Sequence, residues 1–195
     1  MKQVQEKTGV DLLAEILIGV FDNRAQVEAE LEAGGPIHPF AKHVTGDITD
    51  RVHNIPDSHT GRFILEESYY THPGEEMKIK PLLFYLEPDQ DKNVKLHSMV
   101  IPSRYEPEEV TNDNASLFFD FLELNESPRF KAAIYQYQED GSFTVRNPND
   151  WGDGMTFTLI ERLAPDRLEV MELLEKNGKR VTPYDSPIIY DRKKS

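Results

Sequence analysis

The side chains best able to do chemistry in this 195-residue chain are carboxylates, histidines and a few aromatics. Glu66 and Glu67 stand side by side in a stretch, Arg62 to Tyr70, that reads as a strand. Adjacent strand residues point to opposite faces, so the two cannot work together on one bond. Alternation groups Phe63, Leu65, Glu67 and Tyr69 on the more apolar face, and Arg62, Ile64, Glu66, Ser68 and Tyr70 on the other. By pattern alone Glu67 is the inward carboxylate. A carboxylate inside an apolar barrel binds a cationic or N–H-rich ligand, or has its pKa raised by desolvation. The plainer alternative is an acid facing solvent.

His38, His43, His53, His59, His72 and His97 show neither the helical i, i+4 spacing nor the His-Glu-x-x-His context of a zinc hydrolase. His43 and His53 share strand parity and approach one another only if the strand bends. Asp89, Asp91 and Asn93 match the first three ligand positions of a calcium loop, but Val94 and Val100 occupy its glycine and glutamate positions. Asn149, Asp150 and Asp153 lie beside Gly152 and Gly154 and fit a turn as well as a weak calcium site. No metal site and no catalytic residue is assigned. There is no nucleophile elbow, phosphate-cradling loop or dinucleotide fingerprint. With no cysteine there is no thiolate, disulfide or iron–sulfur ligand. Trp151, the only tryptophan, can stack on a planar ligand at a barrel mouth, although core packing is the commoner fate.

Hydropathy and spacing define the elements that must position these groups. Between Thr8 and Glu32, the residues Leu13, Ile16, Leu17, Val20 and Phe21 fall at i, i+3, i+4, i+7 and i+8, the stripe of a helix with one buried face. Thr8 and Asp11 can cap its start, Asp22-Asn23 interrupts it or caps a second helix, and Gly34-Gly35-Pro36 ends it. The N-terminal segment over 8–35 is thus one bent helix or two short ones. Alternation from His43 to His53 predicts the first strand, with Val44, Ile48 and Val52 on one face. Further strands are expected at 62–70, 79–87, 93–101 and 155–162, and a helix at 115–124 on the spacing of Leu117, Phe118, Phe121 and Leu122. Asp140-Gly141 marks a hairpin between 132–138 and 142–146, and Asn177-Gly178 another between 168–174 and 179–190. About eight or nine short strands favour closure, which removes exposed edges. The expected fold is mainly β with an N-terminal helix, an antiparallel barrel over 43–190 able to hold one small ligand.

Composition bounds the rest. With 38% hydrophobic and 29% charged residues, the chain reads as one globular domain over 1–195. Its net charge of −13 has no basic cluster beyond Arg192-Lys193-Lys194, which argues against nucleic acid. No apolar run reaches the roughly 18 residues of a membrane span, and Met1 to Lys7 lacks the apolar region of a signal peptide, so the expected location is cytoplasmic.

Gly19-Val20-Phe21-Asp22-Asn23-Arg24-Ala25-Gln26 resembles the Gly-x-Phe-Ser-Asn-x-x-Gln stretch of the CpcT/CpeT chromophore lyase family. Phe63 to Tyr69 is similar to that family's aromatic-aromatic-Val-Glu-Gln-Ala-Tyr strand, matching it at Glu66 and Tyr69. Thr156 to Met171 resembles its paired late strands and Pro187-Ile188-Ile189-Tyr190 its closing strand. The resemblance implies a calycin-type barrel, close to the lipocalins. Such a barrel would bind a linear tetrapyrrole such as phycocyanobilin and deliver it to a cysteine of a phycobiliprotein. The chain departs from the family where Leu82, Leu83 and Phe84 replace the arginine-bearing Pro-Tyr-Arg-Gln-Arg run. Bilin propionates lose bidentate partners there, which moves the pocket toward a small, largely apolar ligand.

Two readings follow. In one, an inward carboxylate, Glu66 by resemblance or Glu67 by alternation, holds pyrrole N–H groups and Tyr69 orients the ring, with Tyr85 and Trp151 completing the ligand-binding set. As an enzyme this would be a lyase attaching a bilin to a protein cysteine. In the other, the chain is a non-enzymatic relative that binds a different small apolar molecule or a protein partner. The oligomeric state, a homodimer included, is left open.

Overall fold

The computed structural model describes residues 6–35, 38–71 and 76–194; Pro36, His72 and the Pro73-Gly74 turn lie outside the described residues. Thr8 caps helix α1 (Gly9–Leu17): its hydroxyl accepts from the Asp11 N–H at 3.1 Å and the Asp11 carboxylate accepts from the Thr8 N–H at 3.2 Å. The helix buries Leu13, Ala14, Ile16 and Leu17 and then stops. Ile18 is extended and Gly19 takes a φ of 141°, which glycine adopts without strain. Val20 and Phe21, expected to continue the helical stripe, instead lie in strand β1 (Gly19–Asp22). The reason is tertiary: β1 pairs with a strand on each side, and Phe21 is completely buried there. Helix α2 (Arg24–Glu32) follows and buries nothing, so the segment is two short helices with a strand between them.

Nine more strands of the barrel wall run in order, two-residue strands aside: β2 (Phe40–Asp47), β3 (Arg62–Thr71), β4 (Lys78–Pro88), β5 (Val94–Val100), β6 (Ala133–Tyr137), β7 (Phe143–Gly152), β8 (Met155–Ala164), β9 (Arg167–Lys176) and β10 (Ile188–Arg192). Each pairs antiparallel with the next, and β10 returns to β1 through Phe21↔Arg192 and Asp22↔Asp191. The result is a closed ten-stranded up-and-down barrel with an N-terminal helix, a calycin-like, lipocalin-like fold. Both glycine-marked hairpins form; Asn177 and Gly178 have φ of 49° and 72°, the paired positive values of a tight hairpin turn. The second is shorter than its pattern predicts, because only Lys179–Arg180 pairs before the chain leaves the sheet and re-enters as β10. The strand expected over 43–53 also ends early, at Asp47, and Thr49–Arg51 turns as a single 3-10 unit.

The helix expected at 115–124 does not form. Phe119–Asp120 pairs in parallel with Val52–His53, and Phe121–Glu123 makes one 3-10 turn. One turn of helical spacing cannot repay nucleation. Leu117 and Phe119, two residues apart, are instead pressed into the outside of the barrel, which draws the chain out. Residues 101–132 therefore cross the outer face of β3 and β4 and build a second core from Phe63, Leu65, Leu83, Tyr85, Val110, Leu117 and Phe119. Asn112 anchors this excursion, its N–H donating to the Glu67 carboxylate at 2.7 Å and its side-chain amide to the Val44 carbonyl at 3.1 Å. The first core lies inside the barrel, where α1 plugs one end against Ile64, Leu86, Val94, Phe143 and Leu163.

Closure needs help, because β1 spans only four residues and leaves the start of β10, paired with β9 on its other side, without a strand partner on the β1 side. Gln26 of α2 fills that gap: its amide oxygen accepts from the Ile189 N–H at 2.9 Å and its NH₂ donates to the Pro187 carbonyl at 3.0 Å. At the other end of the seam, the Arg192 guanidinium donates to the Ile16 and Ile18 carbonyls at 2.7 Å and to Glu15 O at 3.3 Å, satisfying the orphan carbonyls of α1. It also donates to Pro165 O and lies 4.4 Å over the Phe21 ring. Gly19 makes room, since a side chain there would meet the guanidinium at 2.5 Å. Among the described residues no helix is long and apolar enough to cross a membrane. Arg192→Lys keeps the charge but cannot reach this fork of carbonyls; it is expected to lower unfolding free energy by about 2 kcal/mol. Urea denaturation checks this, and an unchanged midpoint would contradict the clamp.

Candidate functional site

Inward positions of the strands enclose a cavity of about 150 Å³, roofed at the plugged end by Leu17 of α1. Most of its wall is apolar, including Leu82, Phe84, Leu96, Phe157, Leu159 and Val170. Set into that wall are His43, Glu66, Tyr135, Glu161, Glu172 and Tyr190. Lys80 and Lys131 also line it, at exposed positions.

His43 and Glu66 form a pair across β2 and β3, with Nδ1 3.2 Å from Oε1. Ser68 donates its hydroxyl to the same carboxylate at 2.7 Å. Burial alone would lower the His43 pKa, but the charge and hydrogen bond of Glu66 outweigh it and the net direction is upward. Burial likewise opposes ionisation of Glu66, and His43 reverses that, holding the carboxyl below its ordinary value. The two directions agree on an imidazolium–carboxylate pair. The His43 ring is buried against Tyr190, with centroids 4.3 Å apart, and its Nε2 has no hydrogen-bond partner among the described residues.

The second acid, Glu161, accepts from the Tyr135 hydroxyl of β6. It is half-buried, and removal from water is the largest effect on its pKa; the Tyr135 bond and the His43 charge pull it down while Glu66 and Glu172 push it up, leaving it at about 7. Glu172 is also raised, first by burial, with Lys80 and His43 opposing. Tyr135 and Tyr190 are held well above the ordinary tyrosine value by burial, so both remain neutral donors near neutrality.

Of the two carboxylates left open by the sequence, Glu66 lines this cavity and Glu67 does not. Glu67 faces outward beneath the 101–132 excursion, where it accepts from Asn112 and, at 2.5 Å, from the Tyr69 hydroxyl. Tyr69 is on that same outer face, its pKa pushed up to about 12 by burial and by Glu67. Tyr85 belongs to the outer core, its ring 4.8 Å from that of Phe63. Trp151 stacks flat on Phe157 at 4.9 Å with the Arg129 guanidinium 4.0 Å over its ring, so it backs a cavity wall without lining it. His53, set in strand parity with His43, is outside the barrel, stacked on Phe118.

Pattern reading weighed His43 only as a metal ligand beside His53 and passed over Tyr135, Glu161 and Glu172. A signal existed for Glu161, which interrupts the inward apolar row Phe157, Leu159, Leu163 at its third place. The signal for Glu66 was masked because the opposite face of β3 is buried too, and its apolar residues mimic the inward row.

Because Glu161 holds its proton more tightly folded than unfolded, its contribution to stability is full below about pH 4.5 and is lost as pH rises through about 7. Ionising it at pH 8 costs on the order of 3 kcal/mol. Glu161→Gln is expected to gain stability relative to wild type at pH 8 and to show little difference at pH 5. Thermal melts of both proteins across this range check it; parallel curves would contradict the assignment. A comparison with known protein families finds no family model that matches the chain, and a comparison with curated proteins finds none that matches it.

Proposed function

We propose that this chain is a ligand-binding protein whose barrel encloses one small, largely apolar molecule. The observation that carries this reading is the cavity itself: an open interior, apolar for most of its wall, that keeps ionisable groups facing it. A barrel interior needed only for stability is filled by side chains. Buried carboxylates cost stability unless compensated, so their retention beside empty volume fits a binding role. A cavity of this size accommodates about one benzene-sized ring.

A second reading, bilin attachment at the same place, draws on two observations. Glu66, the carboxylate matched to the chromophore lyases, lines the cavity, and Lys80 and Lys131 offer cations that bilin propionates would otherwise lack. A linear tetrapyrrole has four rings and would project well beyond the enclosed space, so the first reading is preferred.

Native mass spectrometry of protein purified from its own host is expected to show one retained small molecule. Leu159→Trp, which fills the cavity, is expected to abolish that mass without unfolding the barrel. A reproducibly empty barrel would contradict the binding reading. Addition of phycocyanobilin is expected to leave the visible spectrum unchanged across a micromolar titration; a shifted and intensified band would favour the second reading.

A further inference from the structure

An apolar pocket alone does not account for the charge left on one of its walls. Glu161 offers about four lone-pair sites, and among the described residues its carboxylate takes one donor, the Tyr135 hydroxyl, and no ion pair. The ionisable groups facing it are Tyr135 on β6, Glu66 on β3, Glu172 on β9 and His43 on β2. Two of these are carboxylates that repel its charge. The only cation among them, His43, is already engaged by Glu66 at 3.2 Å. Lys80 and Lys131 line the cavity from exposed positions, and neither forms a hydrogen bond or ion pair with Glu161 among the described residues. The His43 Nε2–H, a donor of the same wall, is buried without a partner and makes no hydrogen bond to Glu161. The site is therefore short of donors at Glu161, in a setting where low dielectric makes an uncompensated charge costly.

We propose that the molecule held in the barrel carries a protonated amine, and that this amine docks on the Glu161 carboxylate. The proposal rests on the reading of the barrel as a ligand-binding protein. The apolar wall takes the body of the molecule and Glu161, the more enclosed of the two lining carboxylates that lack a cationic partner, takes its cationic end, Glu172 being exposed, so the class is a monoamine on an aromatic or aliphatic body of about one ring. Glu161 can be neutralised either by a proton or by the ligand's ammonium, and the two compete for the same oxygens. Amine affinity consequently rises with pH until Glu161 is ionised in the free protein, near pH 7, and then levels off.

Phenethylamine and its uncharged equivalent of the same shape, propylbenzene, are suitable probes for NMR-monitored titration of the full chain. Phenethylamine is expected to bind at least about tenfold more tightly than propylbenzene at pH 8. Its affinity should fall by up to about tenfold per pH unit below pH 6.5, while that of propylbenzene stays flat. Glu161→Gln should bring phenethylamine down to the level of propylbenzene and remove its pH slope. Retained propylbenzene binding reports that the variant is folded, and the wild-type pH profile tests the proposal independently of it. Propylbenzene binding as tightly as the amine at pH 8 would overturn the amine assignment and leave the ligand-binding reading standing. Binding of neither probe would overturn both.

Discussion

The whole architecture depends on ring closure at β1. Four residues, Gly19–Asp22, must pair with β2 on one side and β10 on the other, or the sheet has two free edges. The seam is too short to satisfy β10 alone, so Gln26 of α2 supplies a side-chain substitute for the missing strand bonds at Pro187 and Ile189. Arg192 ties the last residue of the seam to the end of α1, so the strand that closes the wall also fixes the helix that plugs it. A closed wall with a plugged end is what gives the interior its low dielectric, and the behaviour of Glu66 and Glu161 follows from that.

A second constraint acts on β3 and β4, which are covered on both faces. Inside they meet α1 and the cavity; outside they meet Leu117 and Phe119 of the excursion. Glu66 and Glu67, neighbours in the chain, are thereby sent into two different environments. Glu67 is saturated by Asn112 and Tyr69, as a structural acid should be. Glu66 is compensated by a cation, His43. Glu161 holds its proton near neutrality first because of burial, with two repelling carboxylates adding to it and one neutral donor opposing. At Glu66 a cation overrides the effect of burial, whereas at Glu161 burial prevails over one neutral donor.

Local sequence determined much of the fold. The capping box at Thr8, the strands at 62–71 and 78–88, the Asp140-Gly141 and Asn177-Gly178 turns and the antiparallel meander are all written in short-range chemistry, because caps, alternation and positive-φ turns need only neighbouring residues. The expectation of a barrel followed from strand number and edge avoidance, both readable without coordinates.

Tertiary structure decided what local signals could not. Val20 and Phe21 left a helical stripe for a strand because pairing on two sides and full burial outweigh an i, i+4 pattern. The segment around Leu117 gave up a one-turn helix for contact with the outer barrel wall. The cavity gathers His43, Glu66, Tyr135 and Glu161 from β2, β3, β6 and β8, residues between 23 and 118 positions apart by number whose proximity only a closed sheet creates. Alternation in a single strand tells which side chains share a face but not which face is the inside, because both faces of β3 are buried. Sequence alone therefore determined the meander and offered an inward carboxylate in the 62–70 strand only as a candidate beside a solvent-facing acid; the tertiary structure decided which acids line the interior and with what partners.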